Sequence, residues 1–297
     1  MSVLSMLVFM LTGLFNQVNR AWLTGEGGTE RRRSARAVAD FLAAELRGAQ
    51  VPLTGGGAVT QGNLQFIVNP PGLDAAYRHA DALFWQAPIA TESSFGDLAA
   101  VGYFVKWGKT EQGERPMLCR YFVNPSKGSG ATLTRNPDFR VYDGDPDAWL
   151  EDDLIKSVVQ PDNRAEGYKG LFAENIVGLW IECLDRNGQP IPATGGAKFD
   201  SRTGYLADIT NDGTSWKEQR FLPISVRISL VQFDTHHAHR LNNPAARSTV
   251  QSLSKSSASA GAFIESLRAQ AAGNDALSSL LPGLRTYSSE IQLRNAL

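Results

Sequence analysis

Ile176-Val177-Gly178-Leu179-Trp180-Ile181-Glu182-Cys183 decides how the chain is read, together with Ile224-Ser225-Val226-Arg227-Ile228-Ser229-Leu230 further on. In the first stretch Val177, Leu179, Ile181 and Cys183 alternate with Ile176, Gly178, Trp180 and Glu182. In the second, Ile224, Val226, Ile228 and Leu230 alternate with Ser225, Arg227 and Ser229. Successive side chains of a strand point to opposite faces, so a period of two marks a half-buried strand with one continuous apolar face. Two such faces need a common layer to bury them. Between them stand Asp185-Arg186-Asn187-Gly188 and Asn211-Asp212-Gly213, turn signals rather than a helix. A parallel pair needs a crossover, so antiparallel pairing within one sheet is expected.

The largest apolar stripe available to cover that sheet lies between Thr29 and Gly48. Ala35, Val38, Leu42, Leu46 and Ala49 recur at helical spacing with Phe41 beside them, and Thr29 can cap the start. Val38, Leu42 and Leu46 are the expected packing face. Upstream, Met1 to Phe15 carries no charge and is followed by Asn16, Gln17, Asn19 and Arg20. A spanning helix needs about 20 apolar residues, so this run is a partial membrane segment. Thr24-Gly25-Glu26-Gly27-Gly28 marks a weak turn within one long N-terminal stalk.

The rest of the chain reads as short strands and a few helices. Asn63 to Asn69, Ala82 to Ala87, Leu98 to Gly108 and Pro116 to Asn124 form a meander, with Lys109 to Arg115 as a long polar hairpin loop. Asp145-Pro146-Asp147 opens a helix over Asp147 to Val158, whose Trp149, Leu150, Leu154, Ile155 and Val158 share a face. A Ser/Ala-rich passage, Ser248 to Ala260, leads to a helix from Ala260 to Ala272. Leu284 to Arg294 alternates with polar residues and ends the chain, which predicts an added strand near an edge.

Charge and motifs exclude several functions. The 29 Lys plus Arg against 30 Asp plus Glu give a net charge of −1, which removes the basic stripe that non-specific nucleic-acid binding requires. With 42% hydrophobic and 20% charged residues the chain is globular rather than disordered. The sequence contains no GxSxG, no GxGxxG after a strand, no GxxxxGK[ST] and no HExxH, so no common hydrolase, nucleotide enzyme or metalloprotease is indicated. His236-His237-Ala238-His239 could in principle ligate a metal, but on an extended segment adjacent imidazoles point apart, and an exposed loop explains it. Asp143-Gly144-Asp145-Pro146-Asp147 and Asp208, Asn211 and Asp212 resemble fragments of calcium loops without fitting the pattern, and turns with a helix cap explain them. No catalytic, cofactor or metal residue is assigned. Cys119 and Cys183 fall within predicted strands on apolar faces, as buried thiols or as one bridge if the compartment is oxidising.

At this point the residues carry a resemblance. The apolar run, then Phe15-Asn16-Gln17-Val18-Asn19-Arg20-Ala21-Trp22, then the amphipathic segment ending in Asp40-Phe41-Leu42-Ala43-Ala44-Glu45-Leu46-Arg47, resembles the N-terminal helix of type IV pilin-like proteins. J-type minor pseudopilins and PilW-like minor pilins are the nearest in pattern. Ala99-Ala100-Val101-Gly102-Tyr103-Phe104-Val105, Leu171-Phe172-Ala173-Glu174-Asn175-Ile176-Val177-Gly178-Leu179, Phe199-Asp200-Ser201-Arg202 and Leu222-Pro223-Ile224-Ser225-Val226 resemble the Verru_Chthon cassette protein C family. Those are prepilin-like products of multi-gene cassettes in the Verrucomicrobia group. Such proteins begin with a short basic leader and Gly-Phe-[Ser/Thr]-Leu-x-Glu. The resemblance therefore implies that a start of this kind lies upstream of Ser2, and no processing residue can be numbered here.

The expectation is an α+β protein, a long N-terminal helix packed on a mainly antiparallel β-sheet head, pseudopilin-like. Residues 1–48 would be the apolar and amphipathic helix and residues 49–297 the β-rich head. The resemblance implies a structural subunit of a type IV pilus or type II secretion-like assembly. It would cross the inner membrane once, with its head in the periplasm or on the cell surface. It would meet other pilin or pseudopilin subunits through the N-terminal helix, with no enzyme activity, cofactor or nucleic-acid partner. The rival reading is a membrane-tethered extracytoplasmic ligand-binding module.

Overall fold

A computed structural model describes residues 36–50, 64–92, 94–110, 113–142, 148–159, 170–193, 196–202, 205–207, 216–218 and 222–296. The run Met1 to Phe15, the Asn16 to Trp22 motif, the turns at Thr24 to Gly28 and Asn211 to Gly213, and the Asp143 to Asp147 stretch lie outside them.

The described α-helices are α1 (36–46), α2 (Asp152–Val158), α3 (Thr235–Ala238), α4 (Pro244–Ser256), α5 (Ala260–Ala271) and α6 (Asp275–Ser278). The strands are β1 (Ile67–Val68), β2 (Leu83–Ala87), β3 (Ala99–Thr110), β4 (Gly113–Val123), β5 (Ser126–Lys127), β6 (Thr134–Arg135), β7 (Gly170–Glu174), β8 (Ile176–Leu184), β9 (Phe199–Asp200), β10 (Tyr205–Ala207), β11 (Trp216–Glu218), β12 (Ser225–Phe233) and β13 (Leu284–Gln292). A six-stranded sheet runs β7-β4-β3-β2-β1-β9 and a three-stranded sheet runs β13-β12-β8, with two short two-stranded pairs beside them. All pairings between these strands are antiparallel.

The two larger sheets share one core. Leu83 and Trp85 of β2, Val101, Tyr103 and Val105 of β3, and Leu118 and Phe122 of β4 meet Leu179 and Ile181 of β8 and Val226, Ile228 and Leu230 of β12. Val38, Leu42 and Leu46 of α1 are buried in the same core. On the far side of the large sheet, Phe84, Phe104, Cys119 and Tyr121 pack under Trp149, Leu154 and Ile155. On the far side of the small sheet, Val177, Trp180, Val231 and Phe233 pack under Val250 of α4 and Phe263 and Leu267 of α5. The large sheet is thus apolar on both faces, which is why β3 and β4 carry near-continuous hydrophobic runs, whereas the outer face of the small sheet is apolar only under α4 and α5.

A single residue moves the chain from one sheet to the other. Asn175 stands between β7 in the large sheet and β8 in the small one, with φ 63°. Its N–H donates to Pro116 O at 2.7 Å, and its carbonyl accepts from Phe233 N at 2.9 Å. Asparagine tolerates this left-handed conformation better than most side chains.

The structure corrects the fold expected from sequence. The described N-terminal helix is only 11 residues long and is sunk in the core, and the other helices are short, so the pseudopilin-like architecture with a long helix on a head is not shown. Burial explains the difference: Val38, Ala39, Leu42, Ala43, Glu45 and Leu46 are all inside, and the chain turns at Arg47-Gly48 to bond Gln50 N to Gln86 O at 2.9 Å. Residues 36–48 are thereby part of the body that the sheets form. Val177 leaves the face of Leu179 and Ile181 because the β8–β12 register shifts there, Val231 pairing with Gly178 and Gln232 with Ile176. The hairpin between β3 and β4 is tight, since Lys109 pairs with Glu114 and Thr110 with Gly113. The Ser/Ala-rich passage is helix α4, opened by Asn243, whose side chain accepts from Ala245 N and Ala246 N, and by Pro244 in its first turn. Among the described residues no helix is long and apolar enough to cross a membrane.

Candidate interaction surface

The expected packing face is engaged within the molecule. Leu42 and Leu46 are wholly buried, each contributing on the order of 1.5–3 kcal/mol by leaving water. On the same helix Glu45 is buried against β3 and β4. Arg120 donates to it from Nη2 to Oε1 and from Nε to Oε2 at 3.1 Å, and Tyr103 donates its hydroxyl to Oε2 at 2.5 Å. The Arg120 guanidinium also lies over the Phe122 ring, 4.1 Å from its centroid. Burial, and then the Glu45 charge, push the Tyr103 hydroxyl well above its ordinary range, so it acts as a donor. With Val38, Leu42 and Leu46 inside, the side of α1 open to a partner is Arg36, Ala37, Asp40, Ala44 and Arg47.

Of the two alternatives the sequence left for Cys119 and Cys183, the structure has free, buried thiols. Cys119 faces away from the shared core, toward Trp149 and Leu154, whereas Cys183 faces into it, so the large sheet stands between their side chains. Burial pushes the Cys119 thiol up to about 12 and raises that of Cys183 as well, which keeps both protonated and unreactive.

The histidine cluster is helical rather than extended. Asp234 caps α3, accepting from His237 N at 2.7 Å, and its carboxylate also holds His237 Nδ1 at 2.8 Å. His239 Nδ1 turns back to His236 O at 2.9 Å. No group of His, Cys, Asp and Glu among the described residues could hold a metal ion. A histidine and a serine that sequence reasoning did not pair, His79 and Ser254, meet at 3.0 Å. Both are buried, and burial followed by the Lys255 charge lowers His79 to about 3. A neutral imidazole sealed beneath α4 fixes packing but does not reach solvent.

The chemistry open to a partner lies on the small sheet. Across its outer face Glu182, Arg227 and Glu290 stand in register on β8, β12 and β13, with Arg227 bonded to Glu182 at 2.9 Å and to Glu290 at 3.1 Å. Ser225 Oγ donates to Glu290 at 2.8 Å, and this bond, then Arg227, holds the Glu290 carboxyl below its usual range. The next rung is the hydroxyl pair Ser229 and Ser288 at 2.9 Å. A shallow cleft of about 180 Å³ lies between Trp180, Arg227 and Ser229 and the start of α5 at Ser259.

The two borders of this sheet differ. Beside β8, Asp81 N donates to Leu179 O at 2.7 Å, and the Asp81 carboxylate accepts from Ile181 N at 2.7 Å. Lys198 Nζ and Asn69 Nδ2 fix that carboxylate at 2.6 Å each. The β8 border is therefore closed by the backbone of Ala80-Asp81 and the Asp81 carboxylate at Leu179 and Ile181, and by Ile191 N on Cys183 O. Beside β13 no described strand pairs, and Arg285, Thr286, Ser288, Glu290 and Gln292 are exposed.

Compared with protein-family models, curated proteins and solved structures, the chain matches none.

Proposed function

We propose that this protein is a structural subunit of a type IV pilus or type II secretion-like assembly. It is held at the inner membrane by its N-terminal segment, with the sheet-rich body in the periplasm or at the cell surface. The observation that carries the reading is the uncharged run Met1 to Phe15 followed by the Phe15 to Trp22 motif and an amphipathic helix. The packing of α1 supports it, because the helix is tied to the large sheet through Glu45 and Arg120 and to the core of both sheets through Val38, Leu42 and Leu46. In this reading the body is a presenting surface, and its neighbours are other subunits of the assembly.

The test is fractionation of the protein expressed from its own gene with an internal tag in an exposed loop. We expect it in the inner-membrane pellet after carbonate extraction, with the body digested by protease added to spheroplasts. Release into the soluble fraction, or a body shielded from protease until the cells are lysed, would overturn the reading.

A further inference from the structure

The exposed edge of β13 carries few of the devices by which sheets usually protect themselves. Natural edges are short, carry charged side chains or proline, point a charge inward, bulge, or are covered. Strand β13 is nine residues long, has Arg285 and Glu290 as its two charges, contains neither lysine nor proline, and pairs with β12 without a register shift. The opposite border of the same sheet is closed at Asp81, so among the described residues one edge is capped and no strand pairs with the other.

The outer face states what would complete it. Charges alternate across the strands, Glu182 negative, Arg227 positive and Glu290 negative, and the row stops at the β13 border. A second copy does not continue it. In symmetric antiparallel pairing about an axis normal to the sheet, facing residues share a face, so Glu290 could meet only Leu284, Thr286, Ser288, Gln292 or itself. Arg285, opposite Gln232, belongs to the other face. On that inner face Ile291 is buried and Tyr287 half-buried, so an added strand would extend the core with apolar side chains.

We propose that β13 receives an extended segment of a different protein, one with a lysine or arginine opposite Glu290 on the outer face and apolar residues at alternate positions. This is strand addition, in which main-chain hydrogen bonds supply affinity and the side chains supply selectivity. It does not depend on the assembly role proposed above.

The test uses the whole chain and two labelled peptides, Thr-Val-Thr-Val-Lys-Val-Thr-Val-Thr and the same sequence with Glu for Lys. Binding is followed by fluorescence anisotropy, and contact by amide exchange. We expect the Lys peptide to bind about three- to tenfold tighter than the Glu peptide, slowing exchange in Leu284 to Gln292. Glu290→Lys should invert the preference, and Glu290→Gln should abolish it, which keeps the test valid if one variant folds poorly. Equal binding of the two peptides, no binding, protection elsewhere, or a dimer in sedimentation that protects β13 would each overturn the proposal.

Discussion

Glu45 on α1 and Arg120 on β4 form an ion pair inside the core shared by both sheets, with the Tyr103 hydroxyl on the same carboxylate. This pair fixes the helix by direction as well as by burial, because apolar contacts at Val38, Leu42 and Leu46 would tolerate rotation while a paired charge does not. Arg120→Ala should lower stability by about 3–5 kcal/mol in urea denaturation, since it strands a buried carboxylate. Replacing both residues together, Glu45→Leu with Arg120→Met, should cost less than the single change. Equal losses in the two would show that packing, and not charge pairing, holds the helix.

His79 gives the molecule a defined weakness toward acid. Its folded pKa lies near 3, below the ordinary value of 6.5, so as pH falls through 6.5 the unfolded chain takes up a proton that the folded one does not. Stability from this group is full above pH 6.5 and declines by up to about 1.4 kcal/mol per pH unit until pH nears the folded value. His79→Asn should flatten the slope of the urea midpoint between pH 6.5 and 5. An unchanged slope would remove the argument.

The thiols should be silent in the native state. Cys119 and Cys183 lie on opposite sides of the large sheet, so we expect no thiol-reagent labelling under native conditions and both labelled after unfolding without reductant. Finding a bridged species by mass after air oxidation of the folded protein would contradict the packing described.

Asn175 should tolerate only residues that accept positive φ. Asn175→Gly should lie within about 0.5 kcal/mol of the parent, and Asn175→Val should cost about 1–3 kcal/mol, because a β-branched side chain is strained there. A Val variant as stable as the parent would mean that the junction relaxes.

What was legible from sequence was the local periodicity. The alternation in Ile176 to Cys183 and Ile224 to Leu230 located two strands that pair antiparallel, Ile228 opposite Ile181, with β13 added at the border. The spacing of Val38, Leu42 and Leu46 located a face that is buried. Asn243-Pro244 carried the signal for α4, which the serines after it obscured. Asp185 to Gly188 turned as read, Gly188 N returning to Asp185 O.

Tertiary structure alone decided the rest. Glu45 looks like one more charge on a solvated helix until Arg120, distant in sequence, is placed beside it. Likewise, the shift that turns Val177 outward is a property of two paired strands and not of either one. The crossing at Asn175, the separation of the two thiols and the closure of one sheet border at Asp81 all depend on which strands become neighbours. Periods of two and of 3.6 fix which side of an element is apolar. Which element it meets is set by closing the whole core at once, a condition that no single stretch of sequence contains.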